Sequence, residues 1–336
     1  MIQKGCRFDP GLESSCGGVT EQDTELVSSH RHFVLDGFFE LGALRPVLFV
    51  PFSIMFTISL LANSLLLYVV ASHRSLHSPM CILIAGMACV DLSLPLFFIP
   101  NMLLSFLFDW RSISLIGCLL QMHLIHFVGA FQSTLLVWMA LDRYFAICTP
   151  LGYHDCMTLP RFLEFIIPCL IRNFTLNTLM VGMAGGLVFC GGNVMNHCFC
   201  EHMALVKLAC GNITVNSLLG LLTLFLVANF IFITISYIVI FVSVLHSGKS
   251  GTKALRTCVT HIVVMVVSLM VALIAYLSYR IRNSLPAAIQ VFFSTMYLLF
   301  PSCFSPIIYG IPTTEIRQHI LNMLTCCRRF HALTYS

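Results

Sequence analysis

Long apolar stretches separated by short polar breaks dominate the chain. Seven runs qualify as membrane spans: 46–72, 80–107, 115–147, 163–188, 215–245, 258–279 and 287–310. A spanning helix takes about 20 mostly apolar residues. In lipid each segment must satisfy its own backbone polar groups, and the runs lack the strict alternation of barrel strands, so helices are expected. Polar breaks at 72–79, 108–114, 148–160, 246–256 and 280–286 divide the runs. Beyond the last run, 313–325 reads as a short amphipathic helix with Ile316, Ile320, Leu321 and Leu324 on one face. The expected fold is an all-α membrane protein, a seven-transmembrane helix bundle. Residues 1–45 form an N-terminal tail, 46–310 the bundle, and 311–336 an inner helix and tail.

Composition agrees with a bilayer as solvent. The chain has 336 residues, 58% hydrophobic and only 10% charged, where a soluble domain carries roughly 25% charged residues. Net charge is +4, with no basic cluster interleaved with aromatics, so nucleic acid is not an expected partner. Seven of the fourteen acids lie in 1–45, which has no apolar run suited to a cleaved signal. Orientation follows loop charge. Arg74, Arg143, Arg161, Lys249, Lys253, Arg256, Arg317, Arg328 and Arg329 fall on one side; the short loops of the other hold Arg111, Lys207, Arg280 and Arg282. The first side is expected to be cytoplasmic and the N-terminus outside. No metal cluster, nucleotide loop or nucleophile elbow appears, so an enzyme is not expected. Halves of the chain show no repeat of the kind transporters carry.

Four motifs sit in register with the spans. "MALDRYFAIC" (139–148) closes the third run, "SY" (236–237) lies in the fifth, "KALRTCVTH" (253–261) opens the sixth, and "SPIIYG" (305–310) ends the seventh. Together they resemble the signatures of odorant receptors, a family of rhodopsin-like G-protein-coupled receptors, over about residues 46–327. "FDWRSISLIGCLLQMHLIH" (108–126), Arg172 and "VKLAC" (206–210) resemble the class I, or fish-like, subgroup. The chain departs from the pattern at Ser305 (Asn in the family), at Cys81 (Tyr), at Ser268 and Leu269 (a Phe-Tyr pair), and in its long tail.

The resemblance implies roles. Of sixteen cysteines, Cys118 would pair with Cys200, and Cys190 with Cys210, on the oxidising outer side. Cys89, Cys169 and Cys303, inside apolar runs, read as plain buried thiols. "HCFCEH" (197–202) has metal-ligating residue types, but Cys200 is claimed by a disulfide and the spacing is not a standard site, so no metal is expected there. Asn212 in "NIT" is a glycosylation acceptor by sequence, whereas Asn173 in "NFT" lies in a span. Cys326 and Cys327, after the inner helix, are palmitoylation candidates, with unmodified thiols the alternative.

For the ligand, the resemblance implies a carboxylate held by Arg280, with His126, His202 and Tyr276 as further contacts. Guanidinium suits bidentate capture of a carboxylate. The alternatives are an Arg280 that snorkels to the headgroups and a His126 that bonds backbone. Asn63, Asp91 and Ser305 would form a mid-membrane polar network around a sodium ion or water. Asp142, Arg143, Tyr144, Tyr237, Lys253, His261 and Tyr309 would form the activation switch and G-protein surface. The expected function is an odorant receptor that binds a small, carboxylate-bearing odorant and activates a stimulatory olfactory-type heterotrimeric G protein, raising cAMP, in the plasma membrane and in contact with its lipid. A metabolite-sensing receptor of the same fold, a transporter or channel, and a chain that no longer signals are the rival readings.

Overall fold

The chain is described from a computed structural model. It describes residues 29–190, 192–222, 225–246, 266, 270, 271, 273–278, 285–310 and 313–334. Helix occupies part or all of each of the seven apolar runs. The helices are α1 (Phe49–Ser72), α2 (Pro79–Leu96), α3 (Ile99–Phe108), α4 (Leu115–Cys148), α5 (Tyr153–Cys156), α6 (Leu159–Gly185), α7 (His202–Val206), α8 (Thr214–Leu222), α9 (Phe225–His246), α10 (Ala287–Ser305) and α11 (Thr314–Thr334). In the sixth run, residues 273–278 are helical. Among the described residues, five helical stretches are long and apolar enough to cross a membrane.

The bundle is inside-out relative to a soluble protein. Ile58, Leu61 and Tyr68 on α1, Ile167 and Ile171 on α6, and Ile231, Ile235 and Ile238 on α9 are exposed, at helical spacing and toward lipid. The fully buried positions include Ser59, Asn63 and Asp91. Lipid tails accept apolar side chains without cost, so the polar residues are the ones that need the protein interior. Cys89 is exposed on this outer surface and Cys169 half-buried, while Cys303 is buried. The expectation of three buried thiols therefore fails at Cys89, because a thiol is apolar enough to face lipid.

α4 is the central helix, packed against α2, α6 and α9. At its inner half Trp138 meets Phe162 and Phe165 of α6 with ring centroids 5.4 and 5.1 Å apart. The second run is not one helix. It stops at Leu96 and restarts at Ile99, since Pro100 lacks an N–H and its ring clashes with the carbonyl one turn back. The inner helix runs to Thr334 rather than stopping near 325, because no Gly or Pro interrupts the sequence from Thr325 onward. Cys326 and Cys327 thus lie within the helix and not after it. Ile316 is fully buried under the bundle, and His319 packs its ring 4.1 Å from that of His73.

The outer face carries a small sheet in the order β2–β1–β3. β1 (His32–Leu35) comes from the tail, β2 (Ser112–Ser114) precedes α4, and β3 (Val194–Met195) lies in the second outer loop. β1 pairs antiparallel with β2, His32 opposite Ser114, and parallel with β3, Val34 opposite Val194. Phe33 is fully buried and meets Phe189 edge-on at 5.2 Å.

A charge network fastens the tail behind this strand. Arg45, buried, donates Nε to Gly37 O at 2.9 Å and its terminal nitrogens to Ser105 O and Oγ at 3.1 and 3.2 Å. Arg111 contacts Asp36 at 2.6 Å and Asp109 at 2.6 Å. The Arg111 hydrogen bond holds the Asp109 carboxyl below its usual range. A depressed pKa means the link is present at neutral pH and is lost only as pH falls through that lowered value. Gly37 sits where a Cβ would meet Cys198 Sγ and, at 2.7 Å, the Cys198 backbone nitrogen. Gly37→Ala is expected to cost about 1–3 kcal/mol, the usual penalty of overpacking. Reduced surface expression and a lower melting temperature of the purified protein would report it; an unchanged Tm would refute the close seating.

Candidate functional site

At the outer end, Cys118 near the top of α4 is joined to Cys200, with Cα atoms 5.3 Å apart. Cys190 is joined to Cys210, Cα atoms 5.7 Å apart. The first bond pulls the second outer loop over the bundle. α7 begins two residues after Cys200, and Glu201 caps it, accepting from Ala204 N–H at 2.7 Å. His202, first in that helix, is 3% exposed. His126 lies two turns inward from Cys118 on α4 and is half-buried.

Gln121, between them, was not evident from sequence. It donates Nε2 to Phe97 O at 2.8 Å and accepts Cys200 N–H on Oε1 at 2.8 Å. One amide thereby occupies a carbonyl at the break between α2 and α3 and anchors the disulfide loop. A buried amide that satisfies both its ends fixes geometry. Nothing in the run itself marks Gln121, since both partners are backbone groups far away in sequence.

Tyr276 donates its hydroxyl to Gly220 O at 3.0 Å. It therefore ties the sixth run to α8, a role beyond the ligand contact that the resemblance implies. Arg280 lies outside the described residues, as do Lys253 and His261. In the loop, His197 is fully buried, accepts Phe199 N–H on Nδ1 at 3.3 Å, and packs its ring 4.2 Å from Phe199. Burial pushes its pKa down to about 3 and pushes the Cys198 thiol up to about 12. Neither the charge nor the thiolate is available at neutral pH, so both side chains serve packing. Asn212 is exposed, its Oδ1 accepting Thr214 N–H at 2.9 Å. Asn173 is 6% exposed and shielded from modification.

At mid-depth, Asp91 is fully buried and accepts Gln132 Nε2 on Oδ1 at 2.7 Å. Asn63 donates Nδ2 to Ser59 O and to Ser302 O, both at 2.8 Å. Ser305 faces the carboxylate, yet Asp91 Oδ2 and Asn63 Oδ1 have no hydrogen-bond partner among the described residues. Gln132 is the member that sequence reading missed; its only signal is a lone amide in an apolar stretch.

At the inner lip, Asp142 is 1% exposed. It accepts the Tyr153 hydroxyl at 2.8 Å and stands 3.4 Å from Arg143 Nε. The Arg143 contact is one of charge, since that nitrogen makes no hydrogen bond of good geometry. Burial and the Asp142 bond push the Tyr153 phenol above its usual range, so it remains a donor. Tyr237 is buried with Val137, Ala140, Ile233 and Ile240, and Tyr144 packs at the edge of this cluster. Tyr309 lies in the π-helical turn Pro306–Gly310 that ends α10. Asp142 is thus held mainly by a residue of the next short helix, α5, and only secondarily by its neighbour.

Known proteins share this arrangement of spans and motifs. A family model described as olfactory receptor matches residues 52–327. Human olfactory receptor 52A5 is 37% identical over 301 residues, 87% of this chain and 94% of that receptor. Human olfactory receptor 52K1 is 34% identical, covering 87% of this chain and 94% of its own length. Human olfactory receptor 51E1 is 32% identical, covering 92% and 96%. With that coverage and a bundle whose polar clusters lie at both ends and the middle of α4, the chain belongs to the olfactory receptor family, in its class I branch: a multi-pass plasma-membrane G-protein-coupled receptor for odorants, and no enzyme.

Proposed function

We propose that the odorant is a small carboxylate and that the receptor drives a stimulatory, olfactory-type G protein to raise cAMP. The observation that supports this reading is the Cys118–Cys200 bond, which ties the loop carrying buried His202 to α4, the helix that carries His126 two turns further in. Tyr276 faces α8 at Gly220, and Arg280 follows it by one helical turn in sequence. Two imidazoles and a guanidinium offer donors to an anion, and water exclusion strengthens each such bond. The test is a cAMP assay in cells given carboxylic acids, amines and neutral odorants. Acids are expected to activate; activation by amines alone would sink the reading.

Signal transfer is a population shift, requiring tighter ligand binding to the active state. In the proposed resting state Asp142 is clamped by Tyr153 and Arg143. Opening of the sixth helix frees Arg143 for the G protein, with Tyr144, Tyr237 and Tyr309 behind it and Lys253 and His261 along the cleft. Tyr153→Phe removes one hydrogen bond from a buried acid. Ligand-independent cAMP is expected to rise by about two- to tenfold, as for loss of a modest charged hydrogen bond. Unchanged basal cAMP at equal surface expression would remove Tyr153 from the clamp.

The unpaired oxygens of Asp91 and Asn63 fit a cation. Asp91, Asn63 and Ser305 would hold a sodium ion, which supplies positive charge to a buried carboxylate. The chain's own part is to keep Asn63 fixed between α1 and α10 through Ser302 O.

A further inference from the structure

The asparagines of α6, α8 and α9 fall into two sets. Toward the inner half they are paired: Asn173 Nδ2 donates to Thr134 Oγ1 at 3.4 Å, and Asn229 Nδ2 to Ser133 Oγ at 3.0 Å. Toward the outer half they are open. Asn177 and Asn216 are each 4% exposed, and Asn177 Nδ2 and Asn216 Oδ1 have no hydrogen-bond partner among the described residues. Buried polar atoms are nearly always satisfied, so each exception asks for a missing partner. Asn173 and Asn177 share the buried face of α6 with Met180, Val181 and Ala184. The same residue type on the same face is thus satisfied at one level and open one turn outward.

The level of each open amide follows from its neighbours. On α6, Asn173 meets Thr134 of α4 and Thr178 meets His123 of α4, the latter at 3.0 Å. Asn177 therefore lies between those levels, the part of α4 that holds His126. Asn216 is one turn outward from Gly220, whose carbonyl takes the Tyr276 hydroxyl. α8 packs on α6 and on α7, the helix that His202 opens. Both open amides thus lie on helices that pack directly on those carrying the candidate ligand residues, α6 on α4 and α7, and α8 on α7.

We infer that Asn177 and Asn216 are specificity-determining residues, and that the odorant is an oxygenated acid with a hydroxyl on its chain. Asn177 presents an N–H and takes an acceptor oxygen, either carbonyl or hydroxyl. Asn216 presents an oxygen and takes only a donor, which a hydroxyl supplies and a carbonyl does not. A plain alkyl acid leaves both amides unpaired, and such unpaired groups are what discriminates between ligands. The acid end of this ligand rests on the carboxylate reading above; the oxygenated chain does not.

The test compares a plain fatty acid with its oxo-acid, its hydroxy acid and a neutral diol of equal length. Potency in the cAMP assay is read on wild type, Asn177→Leu and Asn216→Leu, with surface expression measured beside it. On wild type the hydroxy acid is expected to be about tenfold more potent than the plain acid, as one or two hydrogen bonds provide. Asn177→Leu should erase the advantage of both the oxo and the hydroxy acid. Asn216→Leu should erase only the advantage of hydroxy over oxo. Leucine is close to asparagine in size, and both variants should reach the surface at wild-type level or above. Oxygenated ligands no more potent than their parent on wild type, silence across the whole set included, would overturn the inference whether or not the variants fold. An advantage unchanged in both variants would overturn it too. If the diol activates through the amides while acids stay silent, the carboxylate reading falls and the amide assignment stands. If the plain acid matches the hydroxy acid, the amide assignment falls and the carboxylate reading stands.

Discussion

Arg280→Ala is expected to weaken activation by carboxylic acids about a hundredfold or more, in keeping with the loss of a bidentate charge-assisted pair. His126 and His202 can offer ring N–H donors, but of these candidates the guanidinium is the one with a permanent charge. A buried anion with no partner is poorly tolerated. Arg280→Lys should recover part of the response, since lysine keeps the charge and loses the fork. Dose–response curves with surface-expression controls decide it. Equal potency in wild type and Arg280→Ala, with acids active, would leave Arg280 as a headgroup-facing residue.

Cys118→Ser is expected to remove the receptor from the cell surface. The Cys118–Cys200 bond closes a separation of 82 residues, and loop-closure entropy of that length is worth about 4–5 kcal/mol in the chain-entropy model. That is comparable with much of a domain's net stability. The loss extends beyond entropy, because Gln121 holds the Cys200 amide at 2.8 Å and α7 starts from the tethered loop. His202 would lose its position along with the bond. Surface staining and thermal denaturation of Cys118→Ser, Cys200→Ser and the double variant test this. Both single variants and the double should be equally impaired; a well-expressed, ligand-responsive double variant would show the bond to be dispensable.

The spans were legible because an apolar run of twenty or more residues has a single solution in lipid. The break in the second run was not, although Pro95 and Pro100 were in view. Proline alone does not say where the helix stops, and at the break an open carbonyl, Phe97 O, is taken by Gln121 from another helix. The disulfide partners came from resemblance, since the count of cysteines alone leaves many pairings. Asp142 and Arg143 were visible as a charged pair, but Tyr153 was not, because its contact crosses from α4 to α5 over a turn. Arg45 carries no sequence signal of its role, because its burial depends on Gly37, just past β1, and on Ser105 and Asp109 at the end of α3. The four residues of β1 are too few for alternation to declare a strand. The unpaired amides Asn177 and Asn216 leave no trace in sequence at all, since satisfaction is a property of neighbours.

The central place of β1 in the outer sheet has a consequence for biosynthesis. Its strand emerges first from the ribosome, yet its partners β2 and β3 follow at residues 112 and 194. The tail must therefore cross the membrane early, and although β2 arrives with the first outer loop, the β3 edge waits until four helices have inserted and the second outer loop has arrived. Docking of residues 32–36 is then a late event that reports completed assembly of the outer half. An epitope fused ahead of residue 29 leaves that event intact. Truncation past Asp36 removes the strand and the Arg111 partner together, and the maturing receptor loses its final closure.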